Sequence, residues 1–206
     1  MKHVKSSWNE NYLNETQKFW DLRSEEFNKL SQEKDELGLI DYLQHKGLID
    51  KSYSVLDIGC GAGKYLLEMS NKVKEVQGID ISPEMIKCAE KNVMEKNLTN
   101  VKLDVCSWEK IDIKKEGLEK KFDLVFASMT PAINTEELLI KMVEASRKYC
   151  FMSGFVYRKD SIKDELFKNI IGDYKIKDND KMCKAFNSLW NIGMYPEIVY
   201  KDVEWA

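Results

Sequence analysis

Apolar positions along this chain follow two spacings that alternate from one segment to the next. Short runs that are apolar nearly throughout predict β-strands, and Phe122–Met129 has the continuous apolar character of a strand buried on both faces. Two earlier strands are predicted at Val55–Ile58 and Glu75–Asp80. The remaining predicted strands cover Val101–Ser107, Tyr149–Tyr157 and Pro196–Trp205.

Between these runs, apolar residues recur every three to four positions, which predicts amphipathic helices. Helices alternating with apolar strands predict an α/β fold of the Rossmann-like kind, with a mostly parallel sheet and helices on both faces. The predicted helices are Asp35–His45, Gly63–Val73, Pro83–Asn97, one opened by Thr135, one capped by Asp160 and closed by Gly172, and Lys181–Ile192.

The segment before this alternation is polar but carries several aromatic residues. Glu15–Leu30 has the spacing of one amphipathic helix. We therefore expect an N-terminal helical extension or lid over residues 1–34 and a single domain over residues 35–206.

A glycine-rich turn follows the first strand. Within Val55–Lys64, Asp57 precedes Gly59, Gly61 and Gly63, and a helix begins beyond them. Glycines let the backbone approach a ligand closely, and the positive end of a helix favours a bound group there. Asp57 either caps NH groups of the turn or contacts the ligand directly, and the sequence leaves both roles open.

The second strand ends in Asp80, 19 residues after Gly61. A carboxylate at that place in a βαβ unit is positioned to bind a ribose diol. Ser82 fills the N-cap of the next helix with Pro83 at its first position, which leaves Asp80 free for a ligand. Together, the turn and this carboxylate predict a nucleoside-binding site.

The glycine spacing separates two kinds of nucleoside site. A dinucleotide site has the pattern G-x-G-x-x-G, whose third glycine would fall at position 64, and that position is Lys64. A nicotinamide-dependent oxidoreductase is therefore disfavoured. The pattern present, an acid followed by x-G-x-G-x-G, resembles motif I of the class I S-adenosylmethionine-dependent methyltransferases.

Two further segments extend the resemblance to roughly residues 35–200. Asp80–Met85 resembles the D-x-S-x-x-M segment of the small-molecule branch, as in quinone-biosynthesis methyltransferases, and Phe122–Ala127 resembles the family's fourth strand. The family sheet has seven strands in the order 3-2-1-4-5-7-6, whereas six are predicted here. Either the chain is truncated after strand six or the seventh strand is missing. The final strand would then pair with strand five or with another chain, and a homodimer would protect the open edge.

The resemblance implies a cofactor site for S-adenosylmethionine. Gly59 and Gly61 would lie against its methionine part, Asp80 would hold the ribose hydroxyls and Ile81 would pack on the adenine. The full set of expected cofactor residues is Asp57, Gly59, Cys60, Gly61, Gly63, Asp80, Ile81, Met85, Ser107, Trp108 and Ser128.

The third strand departs from the family pattern at its end. The family often has an acid there for the adenine amino group, but Asp104 comes too early in the pleat. Ser107 or a backbone group would have to serve instead. Trp108 either covers the adenine edge or is a structural residue of the core.

Residues expected near the methyl acceptor are few. Ser128 and Thr130 are the nearest polar groups, unless they only cap the loop, and Phe19–Arg23 resembles a W-D-x-R segment in which Trp20 and Arg23 approach the cofactor. Further along the chain, Trp190 and Tyr195 favour a partly apolar acceptor.

No catalytic residue is assigned from the sequence. His3 and His45 both lie outside the crevice segments, so a histidine base is not expected. The segment after strand four, Ser128–Ala132, lacks the acid-Pro-Pro-aromatic pattern of methyltransferases that act on base amino groups.

The composition of the chain narrows the classes of molecule that it is expected to bind. The net charge is −3, from 32 basic and 35 acidic residues, and no basic cluster is interleaved with aromatics, so a nucleic-acid substrate is not expected. The five cysteines show neither a metal-binding nor a disulfide pattern, and no apolar run is long enough for a membrane span. We therefore expect a cytoplasmic methyltransferase acting on a small molecule. The alternatives are an RNA or protein methyltransferase, or a non-catalytic cofactor-binding protein of the same fold.

Overall fold

The computed structural model describes residues 10–33, 35, 38–156, 161–171 and 180–202. The chain forms two compact units, Met1–Ser153 and Gly154–Ala206. The first unit contains the sheet and the glycine turn. No helix in the described ranges combines the length and apolar character that crossing a bilayer requires.

Five parallel strands form the sheet of the first unit, in the order β3-β2-β1-β4-β5. This confirms the α/β, Rossmann-like fold class. The strand order reverses between β1 and β4, so the crevice at their carboxyl ends is the expected ligand site. The strands are β1 (Ser54–Ile58), β2 (Glu75–Asp80), β3 (Val101–Val105), β4 (Phe122–Ser128) and β5 (Ser146–Ser153).

Helices precede, connect and follow these strands. In the first unit they are α1 (Glu10–Asp21), α2 (Ser24–Ser31), α3 (Leu39–His45), α4 (Lys64–Ser70), α5 (Pro83–Glu95) and α6 (Glu136–Ala145). The second unit contains α7 (Ser161–Ile171) and α8 (Lys181–Asn191). Thr135 caps α6 as expected, since its Oγ1 accepts from the Leu138 NH at 3.3 Å. The predicted caps of α7 at Asp160 and Gly172 lie outside the described residues.

The prediction of one helix over Glu15–Leu30 is wrong, because the chain breaks it after Asp21. The Ser24 hydroxyl donates to the Asp21 carbonyl at 2.9 Å and competes with the helical ladder. Leu22, an apolar residue inside the predicted helix, is 86% exposed. The two shorter helices, α1 and α2, therefore replace one long helix.

Two strand predictions also need correction. Strand five begins at Ser146 and ends at Ser153, where Tyr149–Tyr157 was predicted. The described part of the predicted final strand, residues 196–202, has no regular structure. Its apolar residues at 198–200 fit a strand pattern, but no strand pairs with them among the described residues. The rest of that prediction, the homodimer based on it and the boundary at residue 34 stay predictions.

The core places the first turn of α4 directly on β2. A Cβ at Gly78 would collide with Leu66 Cδ1 and lie 2.9 Å from Cys60 Sγ and 3.0 Å from Leu103 Cδ2. Only a glycine permits this close approach. Cys60 is thereby fixed in the core behind the turn, with its side chain directed to β2.

Candidate functional site

The glycine turn is held on the end of β2 by backbone hydrogen bonds. Gly59, Gly61 and Gly63 have φ of +70°, +54° and +94°, a region that other residues seldom adopt. The NH groups of Gly59 and Cys60 both donate to the Ile79 carbonyl, at 2.8 and 3.1 Å. These amides are therefore used within the protein, and the glycines serve mainly to shape the turn.

Asp80 supports the same turn. Its Oδ2 accepts from the Gly61 NH and its Oδ1 from the Ser82 NH, both at 2.9 Å. Burial raises the pKa of this carboxyl, and the two NH donors oppose that rise. Ser82 is the N-cap of α5, with its Oγ 3.1 Å from the Met85 NH, as predicted. Asp80 is nevertheless not free, since each of its oxygens already accepts one hydrogen bond and keeps further accepting capacity.

Asp57 lies beside Asp80 and is 3% exposed. Burial, with the negative charge of Asp80 second, raises the pKa of Asp57 to about 8. Because the turn amides of Gly59 and Cys60 bond Ile79 and that of Gly61 bonds Asp80, the interpretation of Asp57 as the cap of the turn is wrong. The site thus contains a buried carboxyl that a nearby cation would ionise.

The surroundings of Gly61 leave room for a ligand. A Cβ there would find only Met85 Sδ, at 4.0 Å, whereas a Cβ at Gly59 would collide with Thr130 Oγ1. Thr130 therefore covers Gly59, and Met85 lies at the margin of the space beside Gly61. This cradle and the two carboxyls fit S-adenosylmethionine, whose ribose hydroxyls donate hydrogen bonds and whose sulfonium and ammonium groups are positively charged.

The end of the third strand contributes less to the predicted cofactor site than the sequence suggested. Trp108 is buried, its Nε1 donates to the Leu138 carbonyl at 3.3 Å, and the Lys141 ammonium lies 5.0 Å from its ring. These contacts favour the structural role over the adenine contact. Ser107 Oγ donates to Glu109 Oε2 at 2.7 Å. Ile81 is half-buried at the end of β2.

The end of β4 carries a pair of hydrogen-bonded hydroxyl groups, followed by a residue with positive φ. Ser128 Oγ is 2.7 Å from Ser153 Oγ. Burial raises the pKa of Tyr65 nearby. Met129 follows with φ of +54°, which is uncommon for a residue other than glycine. Thr130 Oγ1 accepts from the Ala132 NH at 3.2 Å, so the loop-capping role is present.

The N-terminal helices are anchored at the same edge of the sheet. Asp21 Oδ1, at the end of α1, accepts from Ser82 Oγ at 2.5 Å and from the Glu84 NH at 3.4 Å. Asn92 Nδ2 donates to Asn28 Oδ1 at 2.8 Å and to the carbonyl of Ala62 in the turn at 3.0 Å. The sequence analysis missed this anchor, although Asp21 lies inside the W-D-x-R segment.

A cavity of about 330 Å³ that is wide open to solvent lies between α1 and the loop after β4. Trp20, a predicted acceptor residue, lines it, together with Tyr12, Glu15, Thr16, Phe19 and Pro131. Arg23 does not line it, because its guanidinium lies 3.6 Å over the Phe19 ring and donates to the Phe19 carbonyl at 3.2 Å. Trp190 and Tyr195 belong to the second unit, where their rings meet edge-on at 5.5 Å, and their role in acceptor binding stays a prediction.

Comparison with curated proteins gives partial matches. (S)-coclaurine N-methyltransferase of Papaver somniferum is 32% identical over 52% of this chain and 30% of its own length. Aklanonic acid methyltransferase DauC of Streptomyces sp. (strain C5) is 42% identical over 36% of this chain and 33% of its own length. An uncharacterized RNA methyltransferase of Oceanobacillus iheyensis is 37% identical over 34% of this chain and 16% of its own length. The matches span at most about a third of these relatives.

Solved structures share the fold at low sequence identity. A SAM-dependent methyltransferase from Aquifex aeolicus has a TM-score of 0.59 and 20% identity over 82% of this chain and 87% of its own. The [4+2]-cyclase SpnF has a TM-score of 0.54 and 15% identity over 64% of this chain and 55% of its own. At these identities the likeness concerns the fold alone.

The family described as "Methyltransferase domain" matches residues 49–201, which include the glycine turn and all five strands. The fold agrees with that match, and the carboxyls and the cradle of the site fit the family's cofactor, S-adenosylmethionine. As the sequence motifs predicted, the chain belongs to the class I S-adenosylmethionine-dependent methyltransferases.

Proposed function

We propose that this protein binds S-adenosylmethionine at the glycine turn and transfers the methyl group to a small-molecule acceptor. One observation carries the proposal: the two buried carboxyls of Asp57 and Asp80 flank an open cradle at Gly61. A carboxyl buried without a cation nearby is costly, so this arrangement favours a positively charged ligand.

Each residue of the cradle has a chemical task in this proposal. Asp80 uses its remaining lone pairs to accept from the ribose hydroxyls while it keeps the turn closed. Asp57 becomes ionised beside a cationic group, which returns part of the free energy lost in burying it. Met85 provides a polarizable apolar contact at the margin of the space beside Gly61.

The cofactor, when bound, supplies a methyl group on a positively charged sulfur. The protein's own part is to align an acceptor with that methyl group and to keep water away. The anchored helices α1 and α2 are the elements that exclude water, because Asp21 and Asn92 fasten them to the α5 side of the site. The acceptor's own lone pair is the nucleophile.

A small-molecule acceptor is favoured over RNA by two observations. The partial matches include methyltransferases named for coclaurine and for aklanonic acid. The chain is close to neutral, with 32 basic against 35 acidic residues, whereas RNA-binding surfaces are strongly basic. Membership of the quinone-biosynthesis branch and a cytoplasmic location stay predictions.

The second candidate is RNA, since uncharacterized RNA methyltransferases also match a third of the chain. The test incubates the protein with labelled S-adenosylmethionine and separately with a small-metabolite extract and with total RNA from the source cells. We expect label only in the metabolite fraction. Label in RNA alone would support the second candidate, and no label in any fraction would support a non-catalytic member of the fold.

A further inference from the structure

We propose that the cavity between α1 and the loop after β4, here called the α1 cavity, is the acceptor site and that it takes an organic amine with an apolar body. This inference rests on the proposed function and names the acceptor class. It is carried by the aromatic lining of the cavity, its single carboxylate and its position next to the glycine turn.

The lining is suited to a ring-bearing molecule. Tyr12, Phe19 and Trp20 contribute aromatic side chains, and Pro131 faces them from the loop after β4. A volume of about 330 Å³ is within the range of small-molecule sites. Phe19 and Trp20 pack edge-to-face with centroids 5.0 Å apart, so these two aromatic walls are held in place by each other.

The charge of the lining selects a cation. Glu15 is the charged residue among the six that form the cavity, and none of the six is basic. Aromatic faces attract cations, and the guanidinium of Arg23, from the break between α1 and α2, already lies over the Phe19 ring. The rings that remain for a ligand cation are those of Tyr12 and Trp20. Among the six lining residues a carboxylic acid acceptor would meet the Glu15 carboxylate and no basic side chain, whereas an ammonium group would be stabilised by that carboxylate and by the rings of Tyr12 and Trp20.

The cavity also lies where methyl transfer requires an acceptor. Pro131 directly follows Thr130, whose side chain covers Gly59 of the turn. On the opposite wall, Trp20 directly precedes Asp21, which binds Ser82 two residues after Asp80. Both walls of the α1 cavity are thus connected within one or two residues to the cofactor turn.

The reaction with an amine balances without another reactant. The ammonium group first loses its proton to water, and the lone pair of the neutral nitrogen forms the new nitrogen–carbon bond. The carbon–sulfur bond breaks, and its electron pair stays on sulfur as a neutral thioether. The positive charge that was on sulfur ends on the methylated nitrogen.

The test compares two probes that share an apolar body and differ in charge, phenethylamine and 3-phenylpropionate. Calorimetric titrations use the full chain at neutral pH, with and without S-adenosylhomocysteine. We expect the amine to bind at least roughly tenfold more tightly than the acid. Equal affinities, tighter binding of the acid, or no binding of the amine at millimolar concentration would overturn the assignment.

Two matched variants locate the binding. Glu15→Gln removes the carboxylate of the cavity, and because Glu15 is exposed we expect it to weaken amine binding about two- to fivefold. Glu26→Gln changes an exposed glutamate of α2 outside the cavity and should leave that affinity unchanged. An unaltered amine affinity in Glu15→Gln, or an equal loss in Glu26→Gln, would contradict the site.

The same titrations separate this inference from the proposed function. Neither variant touches the glycine turn, so the affinity for S-adenosylhomocysteine should stay the same in both. A protein that binds the amine but not S-adenosylhomocysteine would contradict the proposed function. A protein that binds S-adenosylhomocysteine but does not prefer the amine would contradict only the acceptor class.

Discussion

At the scale of single residues, the site contains two neighbouring carboxyls that differ in their hydrogen bonds and in their pKa. Asp80 is hydrogen-bonded to the NH groups of Gly61 and Ser82, so it is structural as well as available to a ligand. Asp57 has the pKa of about 8 that burial and the charge of Asp80 impose. A cation bound beside the pair would favour the ionised form of Asp57.

The pKa of Asp57 makes stability depend on pH. The folded protein keeps a proton on Asp57 that the unfolded chain, with a value of 3.8, releases. The contribution of this group is therefore fully present below about pH 4 and is lost as pH rises towards about 8. Asp57→Asn should remove that loss.

We expect Asp57→Asn to raise the free energy of unfolding at pH 8 by roughly 1–3 kcal/mol and to change it little at pH 4. Urea unfolding at the two pH values, without ligand, measures this. The variant should bind S-adenosylhomocysteine more weakly than the parent protein. An equal stability change at both pH values would show that the charge of Asp57 is not the cause.

Substitution of Asp80 tests the ribose contact. Asp80→Ala should weaken binding of S-adenosylhomocysteine by about 1.5–3 kcal/mol, the range for charge-assisted hydrogen bonds. It should also lower stability, because the Gly61 and Ser82 amides lose their acceptor. Asp80→Asn keeps one accepting oxygen and places an NH2 group towards the other backbone amide, so it separates loss of the charge from loss of the whole side chain. A dissociation constant unchanged in both variants would show that Asp80 serves the turn alone.

How much of the site follows from sequence can be seen at these residues. The glycine pattern and the acid at the end of β2 identified the turn, because glycine adopts its three positive φ values with the least strain. The sequence did not predict that Asp80, and not Asp57, accepts a hydrogen bond from an amide of the turn. This difference depends on Ile79, whose carbonyl takes two turn amides and so leaves Asp57 uninvolved in capping.

At the scale of secondary-structure elements, the contacts of α1 and α2 raise two alternatives. These helices either close over the site as a lid or only pack against the core. Asp21 joins α1 to the start of α5, and Asn92 of α5 donates both to Asn28 of α2 and to the Ala62 carbonyl of the turn. The break between α1 and α2 escaped the sequence analysis because Leu22 continues the apolar spacing, although it is exposed. Periodicity records where apolar side chains recur, whereas the break depends on a local hydrogen bond of Ser24.

Substitution of the anchor decides between the two roles. Asp21→Ala should lower stability by about 0.5–2 kcal/mol, as expected for loss of a capping carboxylate at a helix start. If α1 closes the site, the dissociation constant for S-adenosylhomocysteine should also rise several-fold. Glu26→Ala, on the exposed face of α2, is the control. A loss of stability with unchanged affinity would make α1 a packing helix.

At the scale of the whole molecule, the five parallel strands and their order followed from the alternation of apolar strands with helices. The ends of the elements were less predictable. Ser146 starts β5 directly after α6, and its NH still bonds the Val143 carbonyl, so helix and strand share a boundary that apolar spacing does not mark. The segment 196–202 shows that an apolar pattern needs a partner strand to form a sheet.

The central claim is that the glycine turn is a site for S-adenosylmethionine and not for a dinucleotide. Calorimetry of the full chain with S-adenosylhomocysteine and with NAD, together with the melting temperature in each ligand, tests it most directly. We predict that S-adenosylhomocysteine binds and raises the melting temperature, while NAD does neither. Stabilisation by NAD, with no response to S-adenosylhomocysteine, would contradict the claim.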